Sequence, residues 1–491
     1  MKNNFLLKLL ICLFFLVSSC TKEEYRAPSI SGVGKDTIVL NIGDKTVLAP
    51  SISNLKGNSY TWLVNGKETA SGQINYTFDA TEPGNFEVTF KVNNKGGADQ
   101  QSFRILVEKP VVVSISELPA VAMCRVVEIT PAVTGPERTD YEYEWSVGDS
   151  VIGKTKNLNF ISPQAGTFAL NLRVSTGRQT ATVSRTITVK PEKYTGNAYI
   201  LLEYAPAPGK NHNWSIIGDP EFWDLGQEYP LAYNDFLARA SDIRRTDFYS
   251  GLVLGSWGGS ATFKFDHTVA NAIGKPDLEL TATCSRLDLP AVYVAYDRNK
   301  NGKPDEDEWY EIKNDDYGIE DMPDYAMTFT YNKTATDDIG IKSSFNWKDN
   351  QSTPVQGEIL TSKAFSGSMT EAGTLSTRGL FPGLAMIDVS AKKVVLLDGW
   401  NHSFTRKGKR ITRNLTGAVA FSQKLNIDID KAVNNKGETV LLPGIDFVKI
   451  KKVVYPFQQD FINAGGKLMD FNMEEERMLQ VAAILDKHLK N

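Results

Sequence analysis

A pattern of about eighty residues occurs twice in succession near the start of this 491-residue chain. Each copy has a tryptophan near its middle, Trp62 or Trp145, and later a short turn followed by a run of alternating apolar and polar residues. The alternating runs are 86–92 and 168–174. Because side chains alternate between the two faces of a strand, each run predicts a strand with one buried face. The repetition predicts one small β unit used twice.

A tryptophan packed between two sheets is typical of small β-sandwiches. The two copies resemble the PKD and bacterial immunoglobulin-like modules of surface proteins, which implies two tandem Ig/PKD-like β-sandwiches over residues 28–109 and 110–192. Lys-Pro dipeptides at 109–110 and 190–191 end the two copies. The loops at 93–97 and 175–177 contain only ordinary turn residues, so we interpret the modules as spacers, with a binding role as the alternative.

The first nineteen residues have the features of a secretory signal peptide. Lys2 and Lys8 give a positive start, 5–17 is almost entirely apolar, and two serines precede Cys20. A run of this length is too short to span a bilayer. A cysteine in this position resembles the bacterial lipobox, which implies removal of residues 1–19 and lipidation of Cys20.

Residues 20–27 are predicted to form the lipidated tether. The residues Lys22-Glu23-Glu24 follow Cys20 closely and are similar to the export signal of Bacteroidota lipoproteins. This resemblance implies a lipid anchor in the outer membrane and a surface-exposed chain.

Composition excludes several classes of function. With 41% hydrophobic and 23% charged residues the chain is an ordinary folded one, and a net charge of −4 argues against nucleic acid as a partner. Loss of Lys2 and Lys8 would make the charge −4 − 2 = −6. Beyond the leader and tether only Cys124 and Cys284 remain; two buried thiols are the favoured interpretation, and a disulfide is the alternative.

The sequence from 195 to 491 is predicted to be the working domain. It contains six of the eight tryptophans and many short alternating runs, which predict a larger, jelly-roll-like β-sandwich. The main runs are 198–202, 261–265, 278–280, 291–296, 327–331, 394–397 and 447–450. The fold class is therefore mainly β.

One helix is predicted at the C-terminus. Asn472 would cap it with Glu475 three residues later, and His488 would lie near its end. Its apolar face would comprise Met478, Val481, Ala482, Leu485 and Leu489.

The segment 297–308 matches the calcium-loop pattern D-x-[DN]-x-[DN]-G-x5-E at every specified position. Calcium takes six to eight oxygen ligands, and Gly302 permits the sharp turn that brings them together. The predicted ligands are Asp297, Asn299, Asn301, the carbonyl of Lys303, Asp305 and Glu308. Predicted strands flank the loop, so a structural calcium ion in a turn between strands is expected; an Asn-Gly turn with solvated acids is the alternative.

Aromatic residues in loops rich in glycine and asparagine are the candidate ligand contacts, because a ring can stack on a sugar face or a corrin edge. The candidates are Trp214, Trp257, Trp347, Trp400 and His402. The alternative is that each tryptophan anchors its own loop in the core. His212, His267 and His402 are more often structural than metal ligands.

Segments 255–259, 265–269, 297–311, 426–433 and 442–450 resemble the C-terminal domain of Bacteroidota cell-surface lipoproteins that have PKD-like N-terminal modules. The resemblance covers about residues 195–455. It implies a protein that captures a nutrient, a glycan or a corrinoid, for a TonB-dependent transporter or its surface lipoproteins.

An enzyme is not expected. The paired acids lie in polar loops, where they are usually solvated, and no nucleophile elbow or phosphate loop is present. The alternatives are a calcium-dependent glycan-active hydrolase and a structural accessory subunit that binds no ligand.

Overall fold

The computed structural model describes most of the chain after residue 23. The described ranges are 24–198, 200–207, 231–246, 252–255, 257–285, 290–313, 317–318, 321–332, 342–362, 385–389, 391–396, 403–412, 420–455 and 479–489. Cys20, Trp214, Trp400 and His402 lie outside them. No helix in these ranges has both the length and the apolar composition needed to cross a membrane.

The first repeat is built from nine strands around a tryptophan. The five-stranded sheet has the order β2-β9-β8-β5-β6, and β1 pairs with β4 and β3 with β7. Trp62 is fully buried between the rings of Tyr76, Phe90 and Phe103. The strands are β1 Ser29–Ser31, β2 Ile38–Leu40, β3 Lys45–Leu48, β4 Ser51–Ser53, β5 Ser59–Val64, β6 Lys67–Ser71, β7 Tyr76–Asp79, β8 Gly84–Asn94 and β9 Gly97–Val107.

The second repeat has the same topology. Its sheet order is β11-β18-β17-β14-β15, with a parallel edge pair as in the first repeat. Both repeats have a register shift next to the buried tryptophan, at Trp62 and at Trp145. The strands are β10 Val112–Ser114, β11 Val121–Ala122, β12 Val127–Ile129, β13 Ala132–Thr134, β14 Glu142–Val147, β15 Ser150–Gly153, β16 Leu158–Phe160, β17 Gly166–Ser175 and β18 Thr180–Lys190.

The described residues after 190 add nineteen strands and one α-helix. They are β19 Ile200–Ala205, β20 Leu231–Ala232, α1 Tyr233–Thr246, β21 Leu252–Gly255, β22 Ser260–Ala270, β23 Leu278–Ser285, β24 Ala291–Ala295, β25 Trp309–Ile312, β26 Ala326–Asn332, β27 Lys342–Asp349, β28 Gln356–Ser362, β29 Ala385–Asp388, β30 Lys393–Leu396, β31 Ser403–Lys407, β32 Ile411–Thr412, β33 Ala420–Ile427, β34 Ala432–Val433, β35 Gly444–Lys451, β36 Val454–Tyr455 and β37 Leu479–Asp486.

Two of these sheets share one core. The six-stranded sheet β19-β22-β35-β24-β25-β34 and the four-stranded sheet β21-β37-β23-β33 bury their facing side chains together, and α1 packs Phe236 into the same core. Apolar burial of this kind is the main stabilising contribution. The predicted mainly β class with a larger β-sandwich is confirmed, and the predicted runs fall on strands β19, β22, β23, β24, β26, β30 and β35.

A separate aromatic core covers one face of the sheet β28-β27-β26-β31. Alternate residues of β26 and β27 point into it, and Trp257 packs edge-on against Tyr325 there. The opposite face carries Thr328 and Thr330, which bond to hydroxyls of β31. Of this sheet only β26 was predicted from the sequence, and α1 was not predicted.

The predicted C-terminal helix is wrong over the described part of that segment. Leu479–Asp486 is strand β37, which pairs with β21 on one side and β23 on the other. A shift in register opposite Thr281 and Ala282 breaks the alternation of buried residues, which is why the spacing imitates a helix. Residues 471–478, which include the proposed cap, lie outside the described residues.

The described chain divides into two compact units. The first comprises the stretch ending at Glu117 with Thr130–Asn157 and Ala169–Arg185; the second comprises Leu118–Ile129, Leu158–Phe168 and the chain from Thr186 onward. The division runs through the second repeat, so the boundaries 28–109, 110–192 and 195–491 stay a prediction. All site residues described below belong to the second unit.

Candidate functional site

The segment 297–308 joins two antiparallel strands, β24 and β25. Lys300 and Gly302 have positive φ angles of 59° and 79°, which turn the chain back on itself. Both carboxylate oxygens of Asp297 accept backbone N–H groups, from Asn301 at 3.0 Å and from Gly302 at 2.8 Å. The first acid of the motif therefore organises the turn.

The last acid of the motif closes the loop. Glu308 is buried and accepts the N–H groups of Arg298 at 2.8 Å and Asp305 at 3.1 Å. The side-chain amides of Asn299 and Asn301 both donate to Asp305, at 2.5 and 3.0 Å. The side chains of the predicted ligand set thus converge inside one turn.

The donor set of this loop suits calcium, because every predicted ligand offers oxygen. The carbonyl of Lys303 belongs to the same turn, since its N–H donates to Asn301 Oδ1 at 2.7 Å. Within the described ranges, no group of three or more His, Cys, Asp or Glu residues is arranged as a metal site by itself. A calcium site here therefore needs the asparagine and carbonyl oxygens as well as the acids, and calcium stays a prediction.

A cavity of about 610 Å³ lies beside this loop. Strand β22 forms one wall and the calcium-loop segment forms a second. Arg125 and Val126 form a third. The lining is mostly polar or charged: Arg125, Val126, Ile200, Lys264, Phe265, Asp266, His267, Thr268, Tyr296, Asp297, Lys300, Gly302 and Asp446. A concave surface with several converging polar groups is the usual form of a small-ligand site.

The carboxylates that line the cavity are all engaged by the protein. Asp266 Oδ2 accepts the N–H of Thr195 at 3.1 Å, and Asp297 holds the loop as described. Asp446 accepts the Thr268 hydroxyl at 2.6 Å and the N–H of Asp297 at 2.8 Å. Burial raises the pKa of Asp446 although these hydrogen bonds oppose the shift.

Three cations line the same cavity. Lys264 donates to the carbonyl of Gly302 at 3.1 Å and lies over the ring of Phe447. Arg125 and Lys300 are exposed, and neither makes a hydrogen bond or ion pair with any described residue. The cavity therefore has internally satisfied acids and two uncommitted positive groups at its edge.

His267 forms the buried side of the cavity. Its Nδ1 lies 2.6 Å from Asp266 Oδ1 and its Nε2 lies 2.9 Å from Asp486 Oδ2, while the ring packs against Tyr194. Burial by itself lowers the pKa of His267, but the hydrogen bonds and charges of Asp486 and Asp266 outweigh it, so the pKa is raised above 6.5. The ring thus bridges two carboxylates, and its raised pKa favours the charged form, in which both nitrogens donate.

A second histidine extends this network to the C-terminal strand. His488 Nε2 lies 2.8 Å from Asp277 Oδ1, and the His488 N–H donates to Asp486 at 2.7 Å. Burial lowers the pKa of His488, but the hydrogen bond to Asp277 and the charges of Asp486 and Asp277 raise it overall. We name the four residues His267, Asp486, His488 and Asp277 the imidazole clamp. It replaces the predicted position of His488 at a helix end.

Cys124 lies near this clamp as a buried free thiol. Burial, and next the charge of Asp486, raises the pKa of Cys124 to about 12, so the thiol stays protonated and unreactive. This agrees with the favoured interpretation of separate thiols. The side chain of Cys284 lies outside the described set.

Two of the predicted aromatic ligand contacts are core residues instead. Trp257 is fully buried, and its Nε1 donates to the carbonyl of Lys409 at 3.2 Å. Trp347 is 2% exposed, because Gly357 on the neighbouring strand lies against it; a Cβ on Gly357 would approach the indole nitrogen to 2.9 Å. The prediction of exposed rings is wrong for both, and the alternative of loops anchored in the core is correct.

A wide groove of about 750 Å³ passes over the edge of Trp347 on the polar face of the β26–β27–β28 sheet. Its lining includes Thr328, Thr330, Lys348 and Gln356. Because the indole is buried, no ring is presented for stacking. The cavity beside the calcium-loop segment is therefore the better candidate site.

Sequence reasoning found the loop but missed the other walls of the cavity. Lys264 and His267 lie on β22, whereas Asp446 lies on β35, far later in the sequence, and they meet only through the pairing of these two strands. The adjacent Asp266 and His267 within β22 were the one available signal. Arg125 gave no signal, because it lies in a stretch assigned to a spacer module.

Comparison with known proteins supports the N-terminal part of the fold. Residues 28–94, which carry β1 to β8, match a family model described as a PKD-like domain. The prediction of a PKD/Ig-like module is thus confirmed there. Comparison with curated proteins gives no significant match.

Solved structures give distant similarities. A Dscam structure determined for isoform specificity is similar over 34% of this chain and 47% of its own, at 16% identity and a TM-score of 0.23, so the chain spans about half of that protein. A fragment of the titin I-band covers 69% of this chain and 98% of its own, at 9% identity and a TM-score of 0.29. Fibronectin(III)-like modules of Clostridium thermocellum CbhA cover 34% and 98%, at 13% identity and a TM-score of 0.20.

Proposed function

We propose that this chain is a surface-exposed lipoprotein of a Bacteroidota outer membrane that captures a saccharide for a TonB-dependent transporter. Lipidation at Cys20 would anchor it, and the two Ig/PKD-like modules would serve as spacers. The observation that supports a binding role is the cavity of about 610 Å³ beside the 297–308 loop, with its converging charged and hydroxyl groups.

The chemistry of the lining favours a saccharide over a corrinoid. Sugars are recognised through hydroxyl hydrogen bonds; Tyr296 and Lys264 supply donors, and the Thr268 hydroxyl, which donates to Asp446, can accept. Burial raises the pKa of Tyr296 to about 12, so its hydroxyl keeps its proton. Of the tryptophans predicted to contact a ligand, Trp257 and Trp347 are buried and present no face to a corrin edge.

The engaged carboxylates favour binding without turnover. A glycosidase needs one carboxyl free to donate a proton and a second free to act as nucleophile or base. Asp266, Asp297 and Asp446 instead accept hydrogen bonds from the protein. Hydrolysis of a labelled polysaccharide by the purified protein would refute this part of the proposal.

Binding at the cavity can be tested by calorimetry on the full chain with a panel of oligosaccharides. We expect Val126→Trp to obstruct part of the cavity and to weaken binding by about tenfold or more, since lost contacts worth about 1.4 kcal/mol have that effect. Val112→Trp is the matched control, because Val112 is exposed on β10. Binding of cyanocobalamin without any saccharide, or unchanged binding by Val126→Trp, would overturn the proposal.

We also propose that the loop holds a structural calcium ion through Asp297, Asn299, Asn301, Lys303, Asp305 and Glu308. Calcium at a free concentration of about 100 times Kd should stabilise the folded chain by about 2.7 kcal/mol, because only the folded loop binds it. The melting temperature should therefore fall on chelation. Hydrogen exchange should increase in 291–312 and stay unchanged in β8.

Glu308→Gln should abolish the calcium effect, since it removes one carboxylate oxygen from the loop. Glu438→Gln is the control, because Glu438 is an exposed acid in another turn of the same unit. An unchanged melting temperature of the wild-type chain on chelation would reject the calcium site.

A further inference from the structure

We infer that the cavity selects acidic saccharides, those with carboxylate or sulfate groups, over neutral ones. The inference rests on the proposed saccharide binding and adds the ligand's charge. It depends on the balance between engaged acids and uncommitted cations around the cavity.

The carboxylates of the lining repel an anionic ligand less strongly than free carboxylates would, because they already accept hydrogen bonds from the protein. Asp266 faces His267, whose second nitrogen is held by Asp486, so a charged imidazolium lies behind that carboxylate. Both oxygens of Asp297 are directed at backbone N–H groups of the turn. Such charge-assisted hydrogen bonds offset part of the negative potential that the cavity wall would otherwise have.

Arg125 and Lys300, in contrast, are placed to attract an anionic ligand. Arg125 and Lys300 lie on two different walls and make no ion pair or hydrogen bond with the described residues. The backbone of Lys300 is left-handed, with φ of 59°, and this places the residue in the turn of the loop. A planar guanidinium can bind a carboxylate or sulfate through two parallel hydrogen bonds, and the ammonium acts as a point charge.

Arg125 and Lys300 would therefore each contact an acidic group of the ligand. Lys264 also lines the cavity and is already bonded to the carbonyl of Gly302. An anionic group entering the cavity would meet Arg125 on one wall and Lys300 on another. A neutral sugar has no charge to pair with either of them.

The test is calorimetry with the full chain and four oligosaccharides of equal length: oligogalacturonate, a sulfated oligogalactan without uronic acids, maltooligosaccharide and a neutral β-glucan. We expect one or both acidic ligands to bind about tenfold or more tightly than the neutral ones, with affinity that falls as salt is added. The two acidic probes separate carboxylate from sulfate recognition.

Arg125→Gln and Lys300→Gln should each reduce the acidic preference, and the double variant should remove it. Lys436→Gln is the matched control, because Lys436 is an exposed lysine of the same unit outside the cavity. If neutral and acidic ligands bound with equal affinity and Val126→Trp still weakened binding, the preference for acidic saccharides would be overturned. Saccharide binding at the cavity would stand. Absence of binding to all four would overturn both proposals.

Discussion

Asp486→Ala should destabilise the C-terminal β-sandwich by about 3 to 5 kcal/mol, because it leaves a buried imidazole without its charged partner. The Asp486 and His267 side chains are both fully buried, with 2.9 Å between Asp486 Oδ2 and His267 Nε2. Asp486 also accepts the N–H of His488. Denaturant unfolding of the purified chain measures the loss. Asp79→Ala is the contrast: its ion pair with Lys45 is exposed, so it should cost about 1 kcal/mol or less.

The imidazole clamp also predicts a pH dependence. Since the folded pKa of His267 and of His488 is raised above the ordinary 6.5, their stabilisation is complete below about pH 6.5 and is lost as pH rises through the folded pKa values. Stability should therefore be greater near pH 6 than near pH 9. Cys124 does not titrate in this range, because its pKa is raised to about 12.

Asp486→Asn tests the same assignment without creating a cavity. It removes the charge that raises both histidine pKa values, so the change in stability between the two pH values should become smaller than in the wild-type chain. An equal or steeper pH dependence in Asp486→Asn would show that other groups control it.

Trp62→Ala should cost about 3 to 5 kcal/mol in the first module, by loss of buried area and creation of a cavity. The ring lies 4.6 Å from Phe90 and 5.3 Å from Tyr76 between centroids, and its Nε1 donates to the carbonyl of Gln73 at 3.2 Å. Hydrogen exchange should increase throughout β5, β8 and β9. The second unit should keep its protection.

Val47→Ala serves as the control for Trp62→Ala. Val47 is 63% exposed on β3, so its truncation should change stability by about 0.5 kcal/mol or less. If the two variants were equally stable, Trp62 would not be the centre of the first module's core.

The tandem modules were predictable because local pattern and tertiary packing agree there. The alternating run at 86–92 lies on β8, and Trp62 is buried as the repeat implied. The calcium-type turn was predictable for a similar reason, since the hydrogen bonds accepted by the side chains of Asp297 and Glu308 come from residues within 297–308, and a motif of fixed spacing contains them.

The C-terminal strand was not predictable, because its short apolar run fits a helix and a bulged strand equally well. Only the pairing of β37 between β21 and β23 decides between them. The same holds for Trp257 and Trp347: a tryptophan next to glycine or asparagine is compatible with either exposure or burial, and the aromatic core beneath the β26–β27 sheet decided for burial.

By itself the sequence determined the strand-rich class, the repeated module and the turn at 297–308, since each depends on residues close together in the chain. The tertiary structure alone decided the cavity and the imidazole clamp. His267 meets Asp486 across 219 residues, and Thr268 meets Asp446 across 178. Contacts at such separation depend on sheet register, which a one-residue shift would reverse, and no local pattern specifies it.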